Sequence, residues 1–395
     1  MKIVQINAVY AHSSTGRTTK ELHSALTKHN IDSYVFCTNC ESEDEHIYTI
    51  GSKLDWKMHA FLSRLFGLQG YFSYRATQKL IWKLKTIKPD VVHLRNLHAN
   101  YIHLPLLLRY LAANNVGTVV TLHDCWLFTG KCCYYIDSKC EKWKTECGNC
   151  PEKSNWNKSW LFDFSRFMHR DKRRLFGNIS KLAIVGVSDW ITNEAKESFF
   201  RECAHFRRIY NWIDLEQFAP KPVEVSGKEF TALAVAQRWS REKGLFDIQH
   251  VAKELPEVCF QLIGRVPDDV VLPSNVIQLG EISDVNTLAS HYRTADVFLS
   301  LSVQETFGKA VAEAISSGTP AIVYNNTAAP ELVSEGCGYA VETGDLDEVI
   351  KKIRLIREVG KGAYTEQCRN KALHQFDMQK NIRQYIELYE QLSCK

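Results

Sequence analysis

Acidic and glycine residues in the second half of the chain are spaced as a site for a phosphorylated sugar would require. Glu305 and Glu313 lie eight residues apart, with Gly308 between them. The first carboxylate can accept hydrogen bonds from sugar hydroxyls, and the second can grip both hydroxyls of a ribose, as acidic residues do in dinucleotide sites. Gly308 permits close backbone approach, and the amides of Thr306, Phe307 and Gly308 at a helix start can bind phosphate oxygens.

Two cations precede this segment, in the stretch AQRWSREKG. Arg238 and Lys243 would lie on one loop, where they can bind a diphosphate and stabilise the charge that develops as a nucleoside diphosphate leaves. Nothing in the set is an evident nucleophile. The pattern therefore favours a front-face substitution in which the leaving phosphate takes the proton of the acceptor hydroxyl.

Polar residues also follow strand-like segments in the first half. His123 comes directly after residues 117–122 and is a candidate catalytic residue, although it can equally be a packed core histidine or a partner of Asp124. Gly16 lies in the polar loop 13–17, which can hold a donor phosphate or an acceptor, or can simply start a helix. A third polar group after a strand is a candidate lining for an acceptor pocket: His93, Arg95, Asn96 and His98.

The chain has 13 cysteines, a high count for a protein without an evident secretion signal. Four of them have the spacing C-x7-C-x6-C-x2-C: Cys132, Cys140, Cys147 and Cys150. A C-x2-C pair with two further thiolates can form a tetrahedral structural zinc site. Cys125 and Cys133 are then extra, although Cys133 could replace Cys132. The alternatives are buried free thiols and a redox- or zinc-sensing role.

The elements that must position these residues alternate between strand and helix patterns in two separate runs, which predicts two parallel, doubly wound α/β sheets. The boundary is predicted within residues 214–227, where Pro220 and Pro222 break regular structure. We expect an acceptor-binding domain at 1–212 with a Cys-rich insertion at 125–176, a nucleotide-sugar-binding domain at 213–378, and a C-terminal helix at 379–395 that packs back on the first domain. The two domains would face each other across a cleft.

Composition is that of a globular protein, with 45% hydrophobic and 24% charged residues among 395. The net charge of +4 argues against a dedicated nucleic-acid binder. No apolar run reaches the ~18 residues of a membrane helix, and the N-terminus has a strand pattern, so we expect a cytoplasmic protein. Aromatic and basic residues interleave over Trp156–Arg174 and suit an anionic membrane surface, although a solvated helix is the alternative.

Taken together, these motifs resemble family 4 of the retaining glycosyltransferases, which have the GT-B fold. Glu305 and Glu313 match the family's E-x7-E motif, and Arg238 and Lys243 match its G-R-x4-K-G-like loop, with Gln237 in place of the glycine. Residues 211–218 resemble the family's N-G-I-D linker. The strings HDCWLFTGKCCYY and CEKWKTECGNCP resemble the branch that contains colanic-acid, O-antigen and capsule transferases.

The resemblance implies a metal-independent hexosyltransferase that acts on a nucleoside-diphosphate sugar, with a UDP-sugar favoured and GDP-mannose as the alternative. It implies a glycan or polyprenyl-diphosphate-linked acceptor, a role in surface polysaccharide or lipopolysaccharide synthesis, and a donor-sugar contact for His123. Catalysis would need no cofactor, so any zinc would be structural. The rival hypotheses are a catalytically inactive GT-B scaffold that binds nucleotide, and an epimerase or phosphorylase that uses the same cleft.

Overall fold

The chain folds into two compact units. The structure, a computed structural model, describes residues 1–40, 42–155, 157–221, 229–333 and 336–393. The first unit comprises Met1–Ile209 together with the chain from Ile382 onward, and the second comprises Tyr210–Asn381. The units therefore divide close to the boundaries predicted at 212/213 and 378/379, and residues 222–227 of the predicted linker lie outside the described residues.

The first unit contains a seven-stranded sheet in the order β3-β2-β1-β4-β5-β6-β7, in which every pairing is parallel. Its central strands are buried almost throughout and are mostly apolar, as expected for a sheet covered on both faces, with Gln5, His93 and Thr121 among the buried polar exceptions. The strands are β1 (Lys2–Ile6), β2 (Asp32–Cys37), β3 (Ile47–Thr49), β4 (Val91–Leu94), β5 (Gly117–Leu122), β6 (Leu182–Gly186) and β7 (His205–Arg208).

Helices connect these strands. They are α1 (Ser13–Lys28), α2 (Lys53–Phe66), α3 (Tyr74–Ile87), α4 (Leu104–Ala113), α5 (Ser165–Gly177) and α6 (Asp189–Glu197). The sequence pattern predicts a helix over residues 104–113 and a strand over 117–122, and α4 and β5 have these bounds because both lie between clear breaks. The pattern also predicts a helix over residues 18–28, but α1 begins earlier, at Ser13. Helix α2 has no counterpart in the predictions, because several of its apolar side chains are exposed and blur the helical period.

The second unit contains a six-stranded parallel sheet in the order β10-β9-β8-β11-β12-β13. Its strands are β8 (Thr231–Arg238), β9 (Cys259–Arg265), β10 (Val276–Gly280), β11 (Val297–Ser300), β12 (Ala321–Tyr324) and β13 (Gly338–Val341). Its helices are α7 (Leu245–Glu254), α8 (Val285–Thr294), α9 (Lys309–Ser316), α10 (Ala329–Leu332), α11 (Leu346–Val359) and α12 (Gly362–Gln375), followed by α13 (Met378–Ser393).

Both sheets have the doubly wound strand order, which reverses beside their first strands. In the first unit the reversal lies between β1 and β4, and in the second between β8 and β11. Loops that leave the carboxyl ends of these neighbouring strands diverge and leave a crevice, which is where open α/β sheets bind ligands. The predicted α/β class with two Rossmann-like domains is confirmed. The candidate ligand-binding loops are those that follow β1, β4, β5, β8, β11 and β12.

Most of α13 belongs to the first unit, where it buries two tyrosines against the sheet. The Tyr389 hydroxyl lies 2.7 Å from His93 Nδ1, and Thr121 Oγ1 lies 2.7 Å from His93 Nε2 and 3.0 Å from the Tyr385 hydroxyl. Burial, with the positive charge of Arg95, holds the pKa of His93 well below its usual value, so the ring is neutral. The prediction that His93 lines an acceptor pocket is wrong, because both ring nitrogens are committed to the core.

Along the helices of the described segments, no stretch combines the length and the hydropathy that crossing a membrane would require.

We expect Tyr389→Phe to lower the free energy of unfolding by about 1–3 kcal/mol, because the change leaves Nδ1 of a buried histidine without a partner. Thermal and urea unfolding followed by tryptophan fluorescence would measure the loss. Tyr74→Phe is the matched control, since that tyrosine is 50% exposed. Equal stability of the two variants would contradict the role assigned to the Tyr389 hydroxyl.

Candidate active site

The carboxyl edge of the second sheet carries an ion pair that joins two loops. Lys243, in the loop after β8, donates from Nζ to Glu305 Oε1 at 2.5 Å, and Glu305 lies in the loop after β11. Both side chains keep part of their surface open, 39% for the lysine and 23% for the glutamate. The pair can therefore be reached by a ligand, and each member fixes the position of the other.

Backbone hydrogen bonds hold the same loops together. The amide of Val303 donates to the carbonyl of Glu242 at 3.0 Å, and the Ser302 hydroxyl reaches that carbonyl at 3.2 Å. The loop after β12 adds two contacts: the amide of Glu305 donates to Thr327 Oγ1 at 2.9 Å, and Asn326 Nδ2 donates to the carbonyl of Val303 at 2.8 Å. No sequence motif indicated Asn326 and Thr327. The only sequence feature that could have indicated them is the polar run that follows a strand.

Arg238, at the end of β8, is the open cation of this edge. Its side chain is exposed, and none of the ion pairs formed among the described residues includes it. Between this arginine and α7, Gly244 has a φ of 77°, and a Cβ there would collide with the carbonyl of Leu301. The glycine thus lets the Lys243 loop lie directly against the end of β11, with Arg238 left free to bind an anion.

Helix α9 begins at this edge with Gly308 as its N-cap. The residue has a φ of 86°, a left-handed conformation that favours glycine, and a Cβ would approach Leu332 Cδ1 to 2.9 Å. Gly308 makes no side-chain cap hydrogen bond, so the amino end of the helix can approach an anion through its backbone. Thr306 and Phe307 are 5% and 4% exposed, and the Phe307 ring packs against Tyr210 and Phe376. These two residues can therefore meet a ligand through backbone rather than side chain.

Glu313 lies one turn further along α9 and is only 4% exposed. Its Oε2 accepts a hydrogen bond of 3.0 Å from the hydroxyl of the fully buried Tyr292, on α8. The structure therefore separates the roles of the two glutamates, because Glu305 is open in a loop while Glu313 is held inside the helix layer. Tyr292 is a supporting residue that no sequence motif indicated.

In the first unit, His123 lies at the carboxyl end of β5 beside a buried arginine. Arg95 is 2% exposed, and its guanidinium donates to Thr18 Oγ1 at 2.7 Å and lies 3.3 Å from His123 Nε2. Because a guanidinium can only donate, Nε2 must be the acceptor nitrogen and Nδ1 must carry the proton. Burial, with the charge of Arg95, lowers the pKa of His123 to about 3.

A second cluster lies next to His123. His98 Nε2 is 2.7 Å from Asp124 Oδ2, and Cys133 joins them, so that one potential ligand atom from each of the three lies within 4.8 Å of the others. Burial opposes charge on His98, but Cys133 and Asp124 raise its pKa well above the usual value. Burial also opposes ionisation of Asp124, yet the charge of His98 and its hydrogen bond hold the pKa of this carboxyl below its usual value. Cluster and histidine together form a polar, mostly enclosed end to β4 and β5.

Gly16 lies in the first turn of α1, beside the end of β1. A Cβ on it would approach the backbone of Tyr10 and Ala11 to 3.3 Å, and the helix has no side-chain cap. Asn7 links this turn to the loop after β4, because its Nδ2 donates to Thr15 at 3.3 Å while its Oδ1 accepts from the amide of Asn96 at 3.1 Å. The start of α1 and the Arg95–His123 pair thus lie near the switch point of the first sheet.

The four cysteines of the predicted zinc set lie in the first unit, around a small cavity of their own. They are separate from the His98–Asp124–Cys133 cluster.

Comparison with known families covers nearly the whole chain. The profile described as Glycosyltransferase Family 4 matches residues 15–217, just over half of the sequence, and the profile described as Glycosyl transferases group 1 matches residues 219–375. The two matches coincide with the two compact units, and the second contains the Glu305 and Arg238 edge.

Individual relatives agree with these profiles. A colanic acid biosynthesis glycosyl transferase of Escherichia coli (strain K12), WcaC, is 24% identical over 99% of this chain and 100% of its own length. A UDP-Gal:alpha-D-GlcNAc-diphosphoundecaprenol alpha-1,3-galactosyltransferase of Escherichia coli is 26% identical over 46% of this chain and 53% of its own.

Solved structures establish the fold. Sucrose-phosphate synthase of Thermosynechococcus elongatus superposes with a TM-score of 0.70 at 16% identity, over 99% of this chain and 98% of that one. The Anabaena protein HepE, solved in complex with UDP, superposes with a TM-score of 0.67 at 17% identity, over 99% and 100% of the two chains. The family match and this shared architecture lead to one conclusion: the chain belongs to Glycosyltransferase Family 4 and is a glycosyltransferase with the GT-B fold.

Proposed function

We propose that this glycosyltransferase moves a hexose from a nucleoside-diphosphate sugar to a lipid-linked or oligosaccharide acceptor in bacterial surface polysaccharide synthesis, with retention of anomeric configuration. The observation that carries the proposal is the edge of the second sheet, where an open Arg238, the Lys243–Glu305 pair and the uncapped start of α9 occur together. The relatives named for colanic acid biosynthesis and for galactosyl transfer to GlcNAc-diphosphoundecaprenol support the pathway class, and the UDP bound to HepE supports UDP as the favoured donor.

The proposed roles of the donor-site residues follow from the charge that develops on the donor during the reaction. Breaking the bond between sugar and diphosphate places negative charge on the diphosphate, and Arg238 and Lys243 would stabilise it. Lys243 is already paired with Glu305, so its position is fixed before the donor arrives. Glu305 would then orient sugar hydroxyls, whereas Glu313, held by Tyr292, would receive the ribose at the start of α9. No metal is required for these steps.

His123 is proposed to contact the donor sugar as a neutral donor. Arg95 occupies Nε2, and no hydrogen bond to Nδ1 is formed within the described part of the chain. The Nδ1 proton is therefore available to a sugar hydroxyl or ring oxygen. A neutral imidazole adds no positive charge beside an oxocarbenium-like transition state, which a protonated one would destabilise. Retention by a front-face route would be compatible with these described residues, which include no evident base or nucleophile.

A surface on α2 is proposed to bring the enzyme to an anionic membrane that carries its acceptor. Three large apolar side chains project from one stripe of this helix: Leu54, Met58 and Phe61, which are 67%, 56% and 54% exposed. A neighbouring loop adds three more: Trp160, Leu161 and Phe162, which are 56%, 58% and 46% exposed. Helix and loop are joined by the hydrogen bond from the amide of Trp160 to the carbonyl of Arg64 at 2.6 Å. These six residues are called the docking surface below.

Charge complementarity favours an anionic lipid as the occupant. Lys53, Lys57 and Arg64 are exposed on α2, and none of them is ion-paired among the described residues, while Asp55 is occupied in capping the helix with Ser52. A helix with apolar and basic residues side by side lies in a membrane interface.

The sequence had favoured Trp156–Arg174 for this contact. Trp156 lies outside the described residues, and the basic side chains of α5 are largely neutralised by pairing with acids. The pairs are Arg166 and Arg170 with Glu146, Arg173 with Glu202, and Arg174 with Asp171. The docking surface therefore shifts from α5 to α2 and the loop at 160–162.

An inactive scaffold with the same fold would bind nucleotide without turnover, and an epimerase or phosphorylase would use the same cleft with a different acceptor. Incubation with labelled UDP-hexoses and a polyprenyl-diphosphate-linked saccharide separates all three. Transfer to the acceptor, with the linkage read as retained by nuclear magnetic resonance, supports the proposal, and nucleotide binding without transfer supports the scaffold.

We expect UDP to raise the melting temperature in buffer without added divalent cations, and GDP and ADP to raise it less. A ligand at ~100 times its Kd adds about 2.7 kcal/mol. Arg238→Ala should lose most of the shift, whereas Arg357→Ala, an exposed arginine paired with Glu257 on the same unit, should keep it. The donor site is wrong if folded wild-type protein shows no shift with any nucleotide.

We expect the stability of the wild-type protein to fall as pH drops from 6.5 towards 3, in part because of His123. The folded pKa of about 3 lies below the usual 6.5, so the unfolded chain binds the extra proton first and acid favours unfolding within this window. His123→Gln should reduce the slope by up to about 1.4 kcal/mol per pH unit. His374→Gln, on the surface of α12, is the control, and equal slopes in urea unfolding would disprove the effect.

We expect the protein to float with vesicles that contain phosphatidylglycerol and to float less with vesicles of phosphatidylcholine alone. Phe61→Glu should weaken binding by about tenfold or more, because burial of one large apolar side chain is worth about 1.5–3 kcal/mol. Leu373→Glu, at an exposed leucine of α12, should leave binding unchanged. Equal flotation of the two variants would contradict the docking surface. Equal binding to vesicles with and without phosphatidylglycerol would contradict a role for the basic residues of α2.

A further inference from the structure

Four cysteines surround one small cavity in the segment between β5 and α5. Cys132, Cys140, Cys147 and Cys150 all line it, and its volume is about 10 Å³, room for one water-sized sphere. Regular structure does not explain this convergence, because the described part of the segment contains a single short 3-10 turn, Lys142–Lys144. The chain folds back on itself so that residues distant in sequence present sulfur to a common point.

The thiols interact with one another and with backbone donors. A side-chain hydrogen bond links Cys132 to Cys150, and Cys147 lies within electrostatic range of both Cys140 and Cys150. The amide of Gly130 donates to Cys147 Sγ at 3.2 Å. Amide donation to sulfur is the support that a thiolate ligand needs, and ligands with such support are held in one orientation.

The structure also separates this set from the two extra cysteines. Cys133, adjacent in sequence to Cys132, points away and joins His98 and Asp124, and Asn157 Nδ2 lies 3.5 Å from its sulfur. Cys125 contacts Tyr135 instead. Among the described residues, His98, Asp124 and Cys133 are the one group of potential ligands that already lies close together, so the four sulfurs would have to converge further to share an ion. The thiols nevertheless offer the better donor set, because His98 and Asp124 already satisfy each other.

Two buried lysines lie beside the cysteines. Lys131 and Lys172 are 1% and 0% exposed. Their side-chain nitrogens donate to carbonyl oxygens: Lys131 to that of Lys153, and Lys172 to those of Trp126, Thr129 and Gly130. Neither lysine takes part in an ion pair within the described ranges, so these neighbours favour negative charge on the four sulfurs.

An orphaned donor adds to this argument. Trp143 lines the cavity and is 1% exposed, and its Nε1 has no hydrogen-bond partner among the described residues. Four neutral thiols would leave this indole without a strong acceptor. A zinc ion with four thiolates would present sulfur as that acceptor and would place negative charge beside Lys131 and Lys172.

We propose that Cys132, Cys140, Cys147 and Cys150 bind one structural Zn²⁺ ion as thiolates. Binding displaces four thiol protons to solvent and forms four zinc–sulfur bonds, with no change of oxidation state. The ion would fix the irregular segment that carries the backbone oxygens around Lys172 and the start of α5. The proposal does not depend on the donor, acceptor or activity of the enzyme.

The test is the zinc content of the full-length protein, purified under reducing conditions without added chelator. We expect about one equivalent of zinc per chain by mass spectrometry of the metal, and its release when an organomercurial binds the four thiolates in place of zinc. Cys132→Ser, Cys140→Ser, Cys147→Ser and Cys150→Ser should each lose most of it. Cys133→Ser is the matched control, one residue away, and should retain zinc, as should Cys203→Ser.

A cysteine variant can lose zinc because it fails to fold, so a second measurement uses the wild-type protein. Exchange of zinc for Co²⁺ should give the intense visible bands and the sulfur-to-metal charge-transfer absorption of a tetrahedral thiolate site. Folded wild-type protein with less than about a tenth of an equivalent of zinc and no such cobalt spectrum would overturn the proposal. So would a disulfide between Cys132 and Cys150 in the reduced preparation, or zinc that is lost with Cys133→Ser and kept with Cys132→Ser.

Discussion

Parallel strand pairing is the constraint on which the candidate site depends. In a sheet whose strands all run the same way, every strand ends at the same edge, so the loops that follow neighbouring strands must lie side by side. Residues far apart in sequence meet there without any motif that joins them, as Lys243 and Glu305 do across the ends of β8 and β11. Gly244 makes the approach close enough, since any side chain at that position would collide with the carbonyl of Leu301.

The charged and titratable residues of the candidate site differ in burial and in pairing, and these differences determine what each can contribute to the reaction. Arg238 is open and unpaired among the described residues, so it can meet an anion at no cost of breaking a contact. Lys243 is held by Glu305, and Arg95 is buried, where it sets the tautomer of His123 rather than binding a ligand itself. The pKa values of the two histidines at the strand ends shift in opposite directions: burial and the charge of Arg95 lower that of His123, whereas Cys133 and Asp124 raise that of His98 despite its burial.

The segment between β5 and α5 is stabilised differently from the two sheets. It has little regular structure to satisfy its backbone, and Lys172 reaches from α5 to collect three of its carbonyls. Gly130, whose amide meets Cys147, belongs to the same turn. A cross-link at the four cysteines and a buried ammonium would together replace the hydrogen-bond ladder that a helix or strand would have supplied.

The sequence by itself determined the α/β alternation, the bounds of elements such as α4 and β5, and the Glu305, Arg238 and Lys243 set, because these follow from local periodicity and from short motifs. Helix α2 was missed, since its apolar stripe is exposed and resembles neither a core helix nor a loop. Tertiary structure alone decided that His93 belongs to the core, that Tyr292 holds Glu313, and that Cys132 rather than Cys133 joins the other three cysteines. Each of these depends on which way a side chain points after distant segments pack, and alternation along the chain carries no information about that direction.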